Sequence, residues 1–421
     1  MLKIIPSADK AALDLLLKRR QVRLDSAEAV VEPIIEAVRR RGDRALIEYA
    51  RKFDGLDRAA LRVPVEEMQA AHRELSPELQ RALETASGRI RRFAELQKPR
   101  EWSKAAGRGS KLGQIVRPLA SVAAYVPGGR YPLPSTLMMT VIPAQVAGVP
   151  MVSVASPRPS AVTLGTAGFL GVSNLFHMGG AQAIAAFAFG TESVPRADRI
   201  VGPGNIYVAA AKKLLAGTVG IDFVAGPTEI LLVAPKGATK KDARSLAADM
   251  LAQAEHDVDA GAVVLTTSKR LAEWIASEVA RQLETLPTRS VATKAIARNS
   301  AIIVVESIDE AMEISNRFAP EHLSIPDASW LGKVENAGSV FVGSWSPEAA
   351  GDYASGPNHV LPTGGAATLR GGLSVLDYVK IISVQELNEQ GLRRLAPAIT
   401  ALARAEGLEA HARSIEVRFD D

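Results

Sequence analysis

From Ile115 onward, short β-branched runs alternate with glycine- or proline-bearing turns and helical stretches, and this alternation leaves few folds open. The runs fall at 121–126, 151–155, 175–178, 198–201, 229–233, 262–266 and 301–305. Strands followed by helices and returning in the same direction build βαβ units, a parallel sheet covered by helices. Two such stretches, 125–227 and 228–373, predict two α/β lobes, the second sharing its sheet with the helical N-terminal part. In the first hundred residues, apolar side chains recur every three or four positions and predict helices over 27–41, 44–53, 65–75 and 77–96. Residues 98–113 are polar and basic, hold Pro99, Gly107 and Gly109, and are expected to form a loop or a boundary. Beyond Ser374 the pattern predicts helices over 384–396 and 398–405, then a short strand over 414–419.

Composition narrows the function classes. With 421 residues, 47% of them hydrophobic, the chain can bury one large core or a few domain-sized ones. A formal charge of +4, with cations and anions interspersed, gives no basic stripe for nucleic acid. The most apolar stretch, 141–155, is broken by Pro143 and Pro150 and is too short to span a bilayer, so no membrane partner is expected. At the N-terminus, Ser7, Asp9 and Lys10 interrupt the chain before an apolar run of signal length develops. The absence of cysteine excludes disulfides, thiolate metal sites and thiol nucleophiles, and fits a cytoplasmic protein.

Three glycine-rich turns come first among the chemical motifs: Val126-Pro127-Gly128-Gly129, Met178-Gly179-Gly180-Ala181-Gln182 and Val201-Gly202-Pro203-Gly204-Asn205. Each follows an expected strand, and the latter two precede helices, so each can offer backbone N–H groups to an anion. For one turn alone the plainer reading is a tight strand-to-helix connection. Three at strand ends in one lobe suggest a ligand crevice. None matches G-x-G-x-x-G, so nucleotide identity does not follow.

The six histidines are unevenly placed. His256, His322, His359 and His411 fall in the C-terminal half, each near a carboxylate. Gln253 and His256, three residues apart at the end of an expected helix, share one face. Ala319-Pro320-Glu321-His322-Leu323 sets a carboxylate beside an imidazole, and Gly351-Asp352-Tyr353-Ala354-Ser355-Gly356-Pro357-Asn358-His359 adds a second pair. Gln253, His256, Asp352 and His411 together make an N/O ligand set suited to zinc or a neighbouring divalent ion. A helix-end histidine and a turn aspartate also have ordinary structural uses. On these residues alone acid/base catalysis, metal binding and ordinary structural polarity all stay open, among them a zinc hydrolase using Glu321 as base and a non-catalytic binding protein.

Taken together, the motifs resemble the histidinol dehydrogenase family over nearly the whole chain. The resemblance rests on Ala124-Tyr125-Val126-Pro127-Gly128-Gly129, Gly179-Gly180-Ala181-Gln182-Ala183, the 202–207 run, Ala225-Gly226-Pro227-Thr228-Glu229, Gln253-Ala254-Glu255-His256, Ala319-Pro320-Glu321-His322-Leu323 and the 345–362 segment. It implies a zinc-dependent, NAD-linked four-electron oxidation of L-histidinol to L-histidine through the aldehyde, the alternative being a paralogous zinc/NAD dehydrogenase acting on another polar alcohol. It also implies two incomplete Rossmann-like domains with parallel sheets, helical N- and C-terminal segments and an intertwined homodimer. The domain expectation is a segment 1–23, a discontinuous α/β domain of 24–124 and 229–373 carrying the zinc ligands and catalytic pair, an NAD-binding domain of 125–228, and a tail 374–421 reaching the partner. By motif, Gln253, His256, Asp352 and, in trans, His411 match zinc ligands, and Glu321 and His322 match the acid/base pair. Thr228, His359 and Glu406 match further substrate contacts, and Tyr125, Gln182 and Asn205 match dinucleotide contacts. Thr228 stands where many relatives have Ser, Arg130 is bulkier than expected, and 157–163 is shorter than usual beside the expected cofactor lobe.

Overall fold

The computed structural model describes residues 2–19, 24–128 and 131–420. Gly129 and Arg130 of the first glycine turn lie outside the described residues. The chain divides into two compact units, Met1–Gln97 with Ala120–Tyr378, and Lys98–Leu119 with Val379–Asp421.

The first unit begins with β1 (Lys3–Pro6) and α1 (Lys10–Arg19), followed by α2 (Asp25–Arg41) and α3 (Asp43–Asp54). Acidic Asp25 and Glu28 open α2 and Arg39, Arg40 and Arg41 close it, charges that complement the helix dipole. After β2 (Arg62–Val63) come α4 (Val65–Glu74) and α5 (Pro77–Gln97). In the second unit, β3 (Trp102–Ala105) and β4 (Ser110–Pro118) occupy the segment expected to be a loop or a boundary: it is no loop, but the unit does begin at Lys98. Their polar, basic sequence hid them because both strands are solvent-facing for most of their length.

The chain then returns to the first unit with β5 (Ser121–Tyr125), α6 (Pro134–Ala147), β6 (Met151–Ser156), α7 (Ala161–Phe169), β7 (Asn174–His177), α8 (Gly180–Phe189), β8 (Arg199–Val201), α9 (Ile206–Leu215) and β9 (Gly220–Ile221). Helix α6 is buried all round from Ser135 to Ala144, which accounts for its largely apolar sequence, free of charged residues, without a bilayer. Among the described residues no helix is long and apolar enough to cross a membrane.

A second series follows: β10 (Glu229–Val233), α10 (Lys240–Ala254), β11 (Gly261–Thr266), α11 (Lys269–Leu283), α12 (Arg289–Asn299), β12 (Ala301–Val304), α13 (Ile308–Phe318), β13 (His322–Ile325), β14 (Ser339–Val342) and α14 (Glu348–Tyr353). The second unit closes the chain with β15 (Val379–Leu387), α15 (Glu389–Ala405) and α16 (Glu409–Glu416). The expected helix over 384–396 is therefore part strand, and the expected strand over 414–419 begins as helix. In β15 the alternation was masked by apolar residues on both faces, Ile381, Ile382, Val384 and Leu387 all being exposed.

Two sheets organise the first unit. One runs β2-β7-β6-β5-β8-β9, parallel except for β2, and the other runs β1-β12-β11-β10-β13-β14 and is all parallel. Numbered within its own lobe, each contains the strand order third, second, first, fourth, fifth. That is the Rossmann order without its sixth strand, in keeping with the two incomplete Rossmann-like domains that the resemblance implied. In β10, Ile230 and Leu232 face the helices α10 to α12, while Leu231 and Val233 face α1 and α13, so both faces are covered. The expected grouping of 24–124 with 229–373 is corrected: α2 and α3 share a core with β5, α8 and α9, and β2 pairs with β7. The amphipathic stripe predicts that a helix is buried, not which sheet buries it.

Close approach of α4 and α7 depends on two glycines. A Cβ on Gly168 would lie 2.3 Å from the Met68 carbonyl oxygen, and one on Gly165 would lie 2.8 Å from the Leu75 side chain. Exposed Gly88 in α5 meets nothing within 4 Å. Gly168→Ala is therefore expected to destabilise by about 1–3 kcal/mol through overpacking. Gly88→Ala should stabilise by about 0.5–1 kcal/mol through helix propensity. Unfolding midpoints of the two variants check the opposite signs, and a stabilising Gly168→Ala would contradict this packing.

Candidate active site

The parallel pairing of β10 with β13 sets Ile230 opposite His322, and this register brings Thr228-Glu229 beside Glu321-His322 at the amino ends of both strands. Glu321 Oε2 lies 2.7 Å from Thr228 Oγ1 and accepts the Glu229 N–H at 2.9 Å. Burial, reinforced by neighbouring Glu229 and Asp352, pushes the Glu321 carboxyl well above the usual carboxylate range.

His322 is buried, and its Nδ1 faces two acceptors, the Glu229 carbonyl at 3.1 Å and Glu348 Oε1 at 3.2 Å. Two acceptors at Nδ1 call for the ring proton there, which leaves a lone pair on Nε2. That Nε2 has no hydrogen-bond partner and lies 3.7 Å from Asp352 Oδ1. Burial pushes His322 down to about 3, so the ring stays neutral, as a general base must be before it acts.

Sequence reading missed Glu348. It opens α14, and Asp352 lies one turn later on the same face, a four-residue carboxylate spacing that was visible in the sequence. Burial, then the Asp352 and Glu321 carboxylates, raise Glu348 well above its ordinary range, and burial raises Asp352 to about 6. Gln253, buried at the end of α10, donates its amide nitrogen to Thr228 Oγ1 at 2.8 Å with its oxygen toward Glu348; turning the amide over without a metal would instead set the nitrogen 3.0 Å from Glu348 Oε2 and the oxygen against Thr228 Oγ1 and Glu229 N.

One residue beyond the α10 cap, His256 Nε2 approaches Asp352 Oδ2 at 3.8 Å. His359 Nδ1 lies 2.8 Å from the Asp352 carbonyl and its Nε2 lies 3.2 Å from Thr136 Oγ1. The structure thus brings together Thr228, Gln253, His256, Glu321, His322, Asp352 and His359. Glu406, the residue capping α15, and His411 on α16 belong to the second unit, where both are exposed.

Metal-ligating atoms of His322, Glu348 and Asp352 lie within 4.8 Å of one another. The His256 imidazole beside Asp352 and several crowded, desolvated carboxylates with raised proton affinity fit a divalent cation, which would relieve their repulsion. The donor set is nitrogen and oxygen only, consistent with zinc.

At the carboxyl ends of the other sheet, the glycine turns depart from expectation. Asp54 Oδ2, at the end of α3, accepts the Gly179 N–H at 2.8 Å and the Gln182 amide at 3.0 Å. Gly180 N–H donates to Tyr125 Oη at 3.1 Å, and Gly202 N–H donates to Asp222 Oδ2 at 2.7 Å. Asn205 Oδ1 caps α9 by accepting from Tyr207 N and Val208 N, each at 3.1 Å. In the Gly179 and Gly202 turns these backbone donors are engaged by protein side chains, two of them carboxylates, which hold both turns rigidly. Tyr125 and Gln182 are buried, whereas Asn205 is exposed. The short 157–163 segment abuts both turns, since a Cβ on Gly128 would lie 1.8 Å from the Pro157 carbonyl oxygen and one on Gly179 2.5 Å from Pro157 Cβ. Nothing in the sequence pointed to Asp54, which reaches the turn from more than a hundred residues away.

Two incomplete Rossmann-like sheets, with an acid/base cluster in one and glycine turns in the other, define a dehydrogenase of the dinucleotide-dependent, metal-binding class. The histidinol dehydrogenase family model matches residues 17–419. Histidinol dehydrogenase of Halalkalibacterium halodurans is 47% identical over 405 residues, covering 94% of this chain and 95% of that one. That of Thermus thermophilus is 48% identical, covering 95% and 97%. The crystal structure of histidinol dehydrogenase from Elizabethkingia anophelis superposes with a TM-score of 0.94 at 36% identity, covering 99% of this chain and 98% of that one. The chain belongs to the histidinol dehydrogenase family, NAD-dependent and zinc-binding oxidoreductases acting on an alcohol and an aldehyde.

Burial also pushes His359 down, to about 4. A histidine depressed in the folded state contributes stability present above its unfolded value near 6.5, and that stability is lost as pH falls through the window toward 4. Between those limits metal-free wild-type protein should lose up to about 1.4 kcal/mol per pH unit more than His359→Asn. Urea midpoints of both proteins at pH 6.5 and 4.5 check this, and parallel pH curves would contradict it.

Proposed function

We propose that this chain oxidises L-histidinol to L-histidine in two NAD-linked steps, with His322 as the proton acceptor and Glu321 as the base that activates water. The observation that carries this reading is the pinned His322 ring, whose Nδ1 is committed to Glu229 and Glu348 while its buried Nε2 has no partner. Zinc, when bound, orients the substrate's amine and imidazole, and NAD takes up the two hydrides.

In the first step His322 Nε2 takes the hydroxyl proton as hydride leaves carbon, giving the aldehyde. The surrounding carboxylates of Glu348 and Asp352 stabilise the imidazolium that forms. Glu321 then removes a proton from water as its oxygen adds to the aldehyde. The aldehyde oxygen takes back the proton held by His322, completing the hydrate, and His322, neutral again, takes a proton from that hydrate as the second hydride departs. The balance is one histidinol, two NAD⁺ and one water to one histidine, two NADH and three protons. Without cysteine the aldehyde is held as a hydrate and not as a thiohemiacetal.

Gln253, His256 and Asp352 are assigned as zinc ligands that also meet the substrate, with His411 of a second copy completing the set. Thr228, His359 and Glu406 are the remaining substrate contacts, Glu406 pairing with the substrate ammonium. Thr228 keeps the hydroxyl that bridges Glu321 and Gln253, so its extra methyl is compatible with that role. Tyr125, Gln182 and Asn205 are assigned to the dinucleotide. A homodimer is supported by the second unit, whose β15 is exposed along nearly its whole length and whose Leu402 and Val417 are 65% and 60% exposed. An apolar surface of that kind calls for a covering partner. Use of the soluble NAD pool fits action in the cytoplasm.

Zinc-loaded protein should form two NADH per L-histidinol, and His322→Asn should lower kcat by a factor on the order of 100 to 10,000. No NADH with zinc and both substrates supplied would overturn the assignment. Mixing His322→Asn with His411→Asn protein under subunit exchange should restore partial activity, because one site of each mixed dimer is intact. Verified mixed dimers without activity would show that each chain builds its own site.

A further inference from the structure

Helix α9 carries a lysine where its neighbours are alanines. Lys212 is buried between Ala209-Ala210-Ala211 and Leu215, with a side chain only 2% exposed, and it forms an ion pair with Asp222, whose side chain is 0% exposed. Both partners hold the same glycine. Lys212 Nζ donates to the Gly202 carbonyl at 2.9 Å, and Asp222 Oδ2 accepts the Gly202 N–H at 2.7 Å. The second Asp222 oxygen accepts the Phe223 N–H at 2.6 Å, and Arg370 donates to the Asp222 carbonyl at 2.5 Å while its guanidinium lies over the Phe223 ring.

Gly202 needs this grip. Its φ is +105°, and a Cβ there would lie 2.3 Å from the Tyr125 carbonyl oxygen, so the turn passes directly over the end of β5. Beyond it, Pro203 and Gly204 lead to Asn205. Burying an ion pair seldom stabilises a fold more than apolar residues of similar volume would. A pair buried among alanines is therefore better explained by the conformation it enforces than by stability.

We infer that the buried Lys212–Asp222 pair is a positioning device for the Gly202–Asn205 turn and sets affinity for NAD without touching it. The inference rests on the reading above that Asn205 meets the dinucleotide. Fixing the turn before binding removes the ordering entropy that a loose turn would lose on taking up the cofactor.

Two double variants separate the grip from the charge. Lys212→Met with Asp222→Leu removes both charges and both hydrogen bonds to Gly202. Lys212→Gln with Asp222→Asn removes the charges but keeps a donor for the carbonyl and an acceptor for the N–H. In the zinc-loaded enzyme the apolar pair should raise the KM for NAD by roughly ten-fold or more, with kcat and the KM for histidinol changed by less than about two-fold. The polar pair should recover most of the lost affinity. Equal NAD KM values for wild type and the folded apolar variant, or parallel losses in all three constants, would overturn the inference. Asn205→Ala is the reference: if it raises the NAD KM while the apolar pair does not, the ion-pair inference alone fails. If Asn205→Ala is silent, the assignment of this turn to the cofactor fails. Amide hydrogen exchange of unaltered protein covers the case of a variant that does not fold. The Gly202 amide should be protected before NAD is added, and free exchange there without NAD would also overturn the inference.

Discussion

Everything at the catalytic centre depends on one parallel pairing, β10 against β13, with Ile230 opposite His322. Because side chains alternate along a strand, a shift of one residue would turn His322 and Thr228 away from each other. The register is enforced on both faces, where Ile230, Leu231, Leu232 and Leu323 are buried against helices. It is also enforced at the strand ends, where Glu321 accepts the Glu229 N–H and lies against the Thr228 hydroxyl. Apolar packing in the sheet therefore fixes the position of a buried polar cluster that would be unfavourable on its own. The carboxylates of Glu321, Glu348 and Asp352 all have raised proton affinity, and their shared need for positive charge prepares the centre for a cation.

The two lobes use opposite ends of the same architecture. In open α/β sheets, ligands usually meet the carboxyl ends of strands near the point where strand order reverses. The glycine turns follow that rule, standing after Tyr125, His177 and Val201 at the ends of β5, β7 and β8. The acid/base cluster does not, since His322 and Glu229 are the first residues of β13 and β10. Two of these turns are also held from behind by a buried carboxylate, Asp54 at the Gly179 turn and Asp222 at the Gly202 turn. Their glycines serve close packing.

Local patterns made much of this legible. Predicted strands at 229–233 and 301–305 and helices at 27–41 and 77–96 agree with the structure to within about two residues, because each carries its own periodicity and punctuation. Gln253, His256, Glu321, His322, Asp352 and His359 stood out as chemistry-bearing residue types, and the first unit gathers them around one centre. Sequence patterns did not disclose the long-range partners: Asp54 at the Gly179 turn, Lys212 with Asp222 at the Gly202 turn, and the pairing of β4 with β15 across the chain. Glu348 is the intermediate case, since its spacing from Asp352 was visible but its role came from burial against His322.

The central claim is that His322 is kept as a free base while other residues hold the metal. Anomalous diffraction at the zinc edge, on crystals of zinc-loaded protein, tests it directly. The account predicts an ion bound by Gln253, His256 and Asp352 together with His411 of a second copy, with His322 Nε2 unligated. An ion bound instead by His322, Glu348 and Asp352, the three residues whose ligand atoms already lie within 4.8 Å of one another, would contradict it.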